Sequence, residues 1–382
     1  MMSKHNLHSE SVVRNGDELN MPIDDDHNQA DTALFLARQT AGISLSALQA
    51  FSGFNPHYPR STTQGVLSCI HEMQQISCSL SGLDAASLVS LSSHQAAFAS
   101  LSMVNKYHQK KKQHRGKLLV CEAMPEVINA ARQAKLDVEQ ISIQQLAEKL
   151  DENVAAIVFS MPSPEELDLL QDSLLNRIRE LGVLLYLNVS EQYWLASSSL
   201  QRMDFDLITL DVGFQCETGT GCYAVLSNKS LQPYLPTPVV KYVDNEYQLQ
   251  THLQNPFSIG PLNTGAGNIE ALVRCYTQFK LNGVDEIDKQ ARKAVVSAVY
   301  LEKKLADSGV NEGVYSAPYS GQCRLSVNSP ASPGQSFQQD LAGFTKQGLK
   351  VKEEQHVVTL WHLHYLTKQQ LDSLVEVIIK NL

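Results

Sequence analysis

No apolar run in this 382-residue chain is long enough to cross a bilayer. The run at residues 183–187 holds five residues, where a spanning helix needs about 20. Residues 1–13 are polar and have no apolar centre, so they do not read as a secretory signal. Basic residues do not dominate either. A formal net charge of −9 and a pI near 5.7 leave no positive face for general nucleic-acid binding. The one basic cluster (Lys110, Lys111, Lys112, Arg115 and Lys117) precedes the apolar run 118–121 and reads as a solvated loop beside a buried strand. A disulfide framework is missing as well. Cys69, Cys78, Cys121, Cys216, Cys222, Cys275 and Cys323 are odd in number and scattered through apolar stretches, as small buried hydrophobes in a reducing compartment would be. No internal repeat is visible. The expectation is a soluble, cytoplasmic protein with neither nucleic-acid nor membrane partners.

What is present is material for a large core: 43% hydrophobic residues against 19% charged, enough for one large domain and a smaller one. Residues 1–30 are rich in Asp, Asn, His and Ser and cannot bury a face, so a flexible tail is expected there. Helical periodicity begins near Ala30 and returns over 63–80, where Val66, Cys69, Ile70, Met73 and Ile76 form a stripe that Gly82 terminates. The chain then alternates. Helices are predicted over 96–107, 125–134, 142–150 and 167–181, and strands over 117–121, 136–141, 155–160, 183–187, 208–210 and 223–226. Short apolar strands alternating with amphipathic helices predict a mostly parallel sheet covered on both faces, with ligands at the carboxyl ends of its strands. After Pro233, Pro236 and Pro238 the pattern changes to long helices over 268–280 and 287–305. Beyond them a smaller unit is predicted: strands at 323–327 and 357–361, helices at 337–348 and 367–380. The expected organisation is a tail and lead-in helix over 1–45, a large domain over 46–240, connecting helices over 241–305 and a small α+β domain over 306–382.

A set of phrases then occurs in a telling order. Asn55-Pro56-His57-Tyr58-Pro59 is followed by Thr63-Gln64-Gly65 and Gly82-Leu83-Asp84-Ala85; NVAAIVFSMP at 153–162 is followed by Ser163. Further on stand Tyr186-Leu187-Asn188, LQPYLPTPVV at 231–240, Ser258-Ile259-Gly260, Gly267-Asn268 and Leu272-Val273-Arg274-Cys275-Tyr276. Over roughly residues 45–382 this set resembles the C-terminal half of glycine decarboxylase (P-protein), which many bacteria make as a separate second subunit. The resemblance implies the pyridoxal-phosphate (PLP)-dependent transferase fold of type I: an α/β large domain with a mostly parallel seven-stranded sheet, plus a small C-terminal α+β domain.

That family holds its cofactor as a lysine imine, keeps the pyridine nitrogen protonated with a carboxylate, and seats the phosphate on backbone N–H groups at a helix start. Set against the family's LNLHKTF, this chain reads Thr209-Leu210-Asp211-Val212-Gly213-Phe214, so the resemblance puts Val212 at the lysine position and Asp211 at that of the preceding histidine. Valine cannot form an imine. The carboxylate of YLDGAN becomes Asn188, and the histidine that stacks on the ring becomes Met124. The glycine-rich loop shrinks to Glu217-Thr218-Gly219-Thr220-Gly221, the phosphate-side turn to Ser92-Ser93-His94-Gln95, and STHG to Ser163-Pro164-Glu165.

Plainer readings stand beside these. Gly219 and Gly221 read as a phosphate cradle or, more simply, as a strand-connecting turn. Ser92, Ser93 and His94 read as a phosphate seat or as a serine cap without ligand. His362 and His364 lack a further ligand at metal spacing and read as surface histidines; no metal site is expected. Cys216 and Cys222 read as buried thiols rather than a redox pair. Lys229 and Lys241 are the lysines nearest after Val212, and Lys229 matches a surface position of the family.

Three functions remain in view. The first is a catalytically degenerate second-subunit-like protein, a non-catalytic or regulatory assembly subunit with no cofactor expected. The second is an active PLP-dependent glycine dehydrogenase (decarboxylating) subunit; the third is a small-molecule binder using the vestigial pocket. PLP enters only noncovalently or under the second. A homodimer, or a heteromer with a first-subunit-like chain, is expected to bury well over roughly 2,000 Å². Val212, Asn188 and Met124 are expected to face one cleft.

Overall fold

The structure is a computed structural model that describes residues 55, 58–121, 124–160, 170, 172–189, 204–212, 221–309, 314–317, 322–326, 335–346, 349–354, 357–361, 363 and 366–381. Helix α1 (Arg60–Ser81) carries the apolar stripe and stops at Gly82, whose φ of 73° is open to glycine at little cost and whose N–H closes on Cys78 O. Then follow β1 (Ala85–Ser90), α2 (Ser93–Lys110), β2 (Lys117–Cys121), α3 (Pro125–Gln133), β3 (Asp137–Ile141), β4 (Val154–Ser160), α4 (Asp172–Leu181), β5 (Leu184–Val189), β6 (Leu207–Asp211) and β7 (Tyr223–Ser227). They form one seven-stranded sheet in the order β1-β7-β6-β5-β4-β2-β3. Only β7 runs against the others, pairing antiparallel with β6 and β1.

Every residue of β1 and β5 is buried, since both faces of the sheet are covered, and β5 accordingly reads as an apolar run rather than an alternation. On one face α1 (Leu67, Ile70, Met73) lies over β1 and β7 in a core that also takes in Ile157, Leu185, Leu187 and Leu210. On the other, α2 (Ala97, Leu101, Val104) and α3 (Val127, Ala130) pack on Leu118, Val120, Val158 and Tyr186.

His108 of α2 is 1% exposed, with its ring nitrogens on Ala155 O (2.9 Å) and Gln113 Oε1 (2.8 Å). Burial pushes its imidazole pKa down from 6.5. The folded state therefore favours the neutral ring. The stability tied to it is present above the ordinary imidazole pKa and is lost as pH falls through about 6.5 towards the lower folded value. Urea midpoints at pH 7.5 and 5.5 are expected to differ more for wild type than for His108→Gln.

Strands β8 (Val239–Val243) and β9 (Glu246–Gln250) form a hairpin that sequence reading missed, turning through Asp244 and Asn245 at φ 53° and 63°. It is tied to α1 by Gln64 and Gln74, whose amides bond the backbone of Tyr247 and Val240. Strand β1, missed as well, is short and made of small residues. Residues 142–150 form only a 3₁₀ turn and one short α-turn. The two long helices predicted after the prolines are one, α5 (Ile269–Asp307), 39 residues long. No proline falls between 280 and 287, and Gly283 alone costs about 1 kcal/mol, too little to break a helix packed at both ends.

Gly267, at φ 92°, precedes the Asn268 cap of α5, and a Cβ there would lie 2.5 Å from Leu88 O. Gly267→Ala is expected to lower stability by about 1–3 kcal/mol in urea unfolding.

The first half of α5 (Ile269, Leu272, Cys275) belongs to the large core, and its second half (Ala298, Leu301, Leu305) to another. There it meets β10 (Val314–Ala317), β11 (Gln322–Ser326), β12 (Lys350–Glu354) and β13 (Val357–Trp361), an antiparallel sheet in the order β10-β11-β13-β12, with α6 (Gln335–Thr345) and α7 (Lys368–Asn381). No helix among the described residues is long and apolar enough to cross a membrane.

Candidate functional site

The carboxyl edge of the large sheet collects polar side chains on one face. Ser160, Asn188 and Thr209 are register partners across β4, β5 and β6, and Asp211, Tyr223 and Ser90 across β6, β7 and β1. Register partners share a face, and so do residues two apart on a strand, so Thr209 and Asp211 join the two rows.

Asn188 is 7% exposed and its amide is held at both ends. Tyr186 OH lies 2.9 Å from Thr209 Oγ1, and Thr209 Oγ1 donates to Asn188 Oδ1 at 2.5 Å, with Tyr186 OH also 3.3 Å from that oxygen. The Asn188 Nδ2 points to Met124 Sδ at 3.7 Å. Asn188 and Met124, chosen from sequence, therefore do meet. Burial pushes the Tyr186 phenol well above its ordinary pKa, as it does that of Tyr223, which bonds Asp211 and is raised further by Asp211 and Glu126.

Val212 does not join them. It is 1% exposed, its N–H donates to Cys222 O at 2.8 Å, and its carbonyl accepts from the Cys275 thiol. One residue past Asp211 the alternation turns its side chain to the other face, into the core containing Leu88, Cys222, Ala271 and Cys275. The expectation that Val212 faces the cleft with Asn188 is corrected accordingly: Asp211 is the residue on that face.

Helix α2 starts at the same edge. Ser92 Oγ accepts from Gln95 N at 3.1 Å, and Gln95 folds back so that its Oε1 accepts from Leu91 N at 2.7 Å while its Nε2 donates to Leu262 O. Ser93 opens the first turn. His94 is turned to α3, with Nδ1 3.2 Å from Glu126 O and Nε2 3.3 Å from Gln133 Oε1. Gly221 donates to Leu91 O at 3.1 Å, and the Tyr223 ring fills the space a Cβ would take there. Ser163, Gly219, Cys216, His362 and His364 lie outside the described residues.

Lys229 is at the opposite edge. Strand β7 carries the chain about 14 Å from Tyr223 to the amino ends of the parallel strands, where Lys229 N donates to Asp84 Oδ2 at 2.7 Å. Lys241 is exposed on β8, the hairpin strand against α1. Neither amine stands beside Asn188. A cavity of about 730 Å³ opens at that amino edge, lined by Asp84, Arg179, Asp204, Asp206 and Asn228 among others. Its polar groups already serve the fold: Asp206 accepts from Leu185 N and Asn228 Nδ2, and Arg179 pairs with Asp204.

Sequence reasoning missed Thr209, Tyr223, Glu126, Ser90 and Ser160. A signal was available in the polar residues two apart that end otherwise apolar strands, but their alignment into one row depends on register.

Comparison with known proteins gives the class first. Over 96% of its length the chain superposes on 93% of glycine decarboxylase (P-protein) of the glycine cleavage system, with TM-score 0.66 and 17% identity. It also superposes on the Escherichia coli cysteine desulfurase CsdA, with TM-score 0.61 and 13% identity over 93% of this chain and 98% of that one. The fold is that of the PLP-dependent transferases. No family model matches the chain. Among curated proteins it is similar to the probable glycine dehydrogenase (decarboxylating) subunit 2 of Methylococcus capsulatus, 28% identical over 288 residues, 69% of this chain and 58% of that protein. The protein of the same name from Prosthecochloris aestuarii is 29% identical over 304 residues, 74% of this chain and 59% of its own. The chain is a homologue of these second subunits and matches less than two thirds of their length.

Proposed function

We propose that this chain is a catalytically degenerate relative of glycine dehydrogenase (decarboxylating) subunit 2, a non-catalytic or regulatory subunit that keeps the transferase fold for assembly. What supports this is that the stretch resembling the family's lysine phrase reads Asp211-Val212, with no lysine, and that the Val212 side chain is packed into the core on the face opposite Asn188. On the opposite face, Ser92, Ser93, His94, Met124, Asn188 and Asp211 are the remnant of a cofactor pocket.

The residues present do not fit PLP. No described lysine lies in the cleft to form an imine. Asn188 has no charge with which to hold a pyridinium proton, and its oxygen already accepts from a hydroxyl. At the helix start, the Leu91 and Gln95 N–H groups are bonded to side chains of the chain itself. A charge-assisted bond of the missing kind contributes roughly 1.5–3 kcal/mol, so any noncovalent binding is weak.

Purified protein mixed with PLP is expected to show no imine band at about 420 nm, no borohydride-fixed adduct in the cleft and no glycine-dependent CO₂ release. A reduced adduct at one lysine together with CO₂ release would replace this reading with the active enzyme. The proposed assembly is a dimer, with a second copy or with a first-subunit-like chain. Tyr242, Leu253 and Phe257, exposed on and just after the β8–β9 hairpin, support an interface there. A stable monomer in sedimentation at micromolar concentration, alone and with such a chain, would count against it.

A further inference from the structure

Two acidic residues border the carboxyl-edge cleft from different elements. Asp211 ends β6 on the face of Thr209 and Asn188 and bonds Tyr223. Glu126 stands in the first turn of α3, two residues after Met124, whose sulfur meets Asn188. Its backbone carbonyl is joined to His94 in the first turn of α2. Asp211 and Glu126 are the carboxylates that act on the Tyr223 phenol, and Glu126 acts on Tyr186 as well. Two carboxylates therefore border the cleft, one of them on the helix whose first turn is joined to the start of α2. At the helix start the Gln95 N–H is already taken by Ser92 Oγ and the Leu91 N–H by Gln95 Oε1, which leaves less to offset their charge. The nearby Ser90 hydroxyl, in register with Tyr223, is buried and has no hydrogen-bond partner among the described residues. It is a neutral group, suited to an alcohol or an amine as readily as to an anion.

We infer that this cleft selects against phosphorylated ligands and that Asp211 and Glu126 set the selection, so that a phosphate-free ring compound binds at least as well as its phosphate ester. The inference rests on the degenerate reading above but is separable from it. A dianionic phosphate brought near two carboxylates in a partly desolvated cleft is repelled by both, and the repulsion weakens with salt.

The test compares pyridoxal with pyridoxal phosphate, which share a ring and differ in the phosphate. Binding is followed by equilibrium dialysis at low ionic strength for wild type, Glu126→Gln and Glu126→Gln/Asp211→Asn. The double variant is expected to gain about tenfold or more in affinity for pyridoxal phosphate, with little change for pyridoxal and a smaller gain at high salt. Glu126 is half-exposed, so the single variant retains its fold and reports a part of the gain even if the double variant is destabilised. Wild type binding pyridoxal phosphate more tightly than pyridoxal, or a double variant with no gain for the phosphate, overturns the proposal. Borohydride reduction followed by peptide mapping separates the two failures. A fixed lysine adduct in the cleft sinks the degenerate reading, whereas tight binding without an adduct sinks only the charge selection.

Discussion

Val212→Lys is expected to damage the protein rather than repair it. The side chain at this position points into the core among Leu88, Cys222, Ala271 and Cys275, and it is 1% exposed. An ammonium placed there would lose its hydration without a carboxylate to meet it, which costs about 3–5 kcal/mol for an unpaired buried charge. Urea unfolding of the variant should show a loss of that size. With pyridoxal phosphate added, borohydride should fix no adduct at position 212. Asp211→Lys is the informative contrast. Its side chain lies on the Asn188 face, where an amine can stay solvated, so the variant should remain folded and acquire a reducible adduct at residue 211. An adduct at 212 with unchanged stability would show that the side chain at this position reaches the cleft after all.

Phe159→Ala is expected to be as costly through packing alone. Phe159 sits in β4 between Cys121 of β2 and Leu187 of β5, is 1% exposed, and meets Phe205 edge-on at 6.2 Å between centroids. Its loss leaves a cavity at the centre of the sheet that neighbouring strands, held by their ladders, cannot close. The expected cost is about 3–5 kcal/mol, read as a shift of the urea midpoint with unchanged slope. Phe159→Leu should cost much less, because most of the volume is kept. Equal losses for both variants would mean that the aromatic contact with Phe205, rather than filled volume, is what the site requires.

The parts of the fold that were legible in sequence are those with local causes. The apolar stripe of α1 and its stop at Gly82 were visible because both depend on residues a turn apart. Strands β2 and β13 were predicted with the bounds they have, since each is a short, mostly apolar run with polar or charged residues on both sides. The β8–β9 hairpin and β1 were not legible. The first depends on Asp244 and Asn245 adopting positive φ, which neither residue requires. The second is a run of small side chains whose strand state is settled by pairing with β7. The continuity of α5 was hidden for a similar reason: packing at its two ends against two different cores carries it across Gly283.

The candidate site divides along the same line. Sequence by itself determined that no lysine stands at position 212 and no carboxylate at position 188, and that the fold is an α/β transferase type. These are matters of residue identity and order. Only the tertiary structure decided that Asn188 is locked by Thr209 and Tyr186, that Lys229 lies at the far edge, and that Asp211 rather than Val212 shares the face of Asn188. Position along a strand alternates between faces with a period of two, so a single step at the end of β6 moves a side chain from cleft to core. Which face is the cleft is set by helices α1, α2, α3 and α5, brought to the sheet from far along the chain.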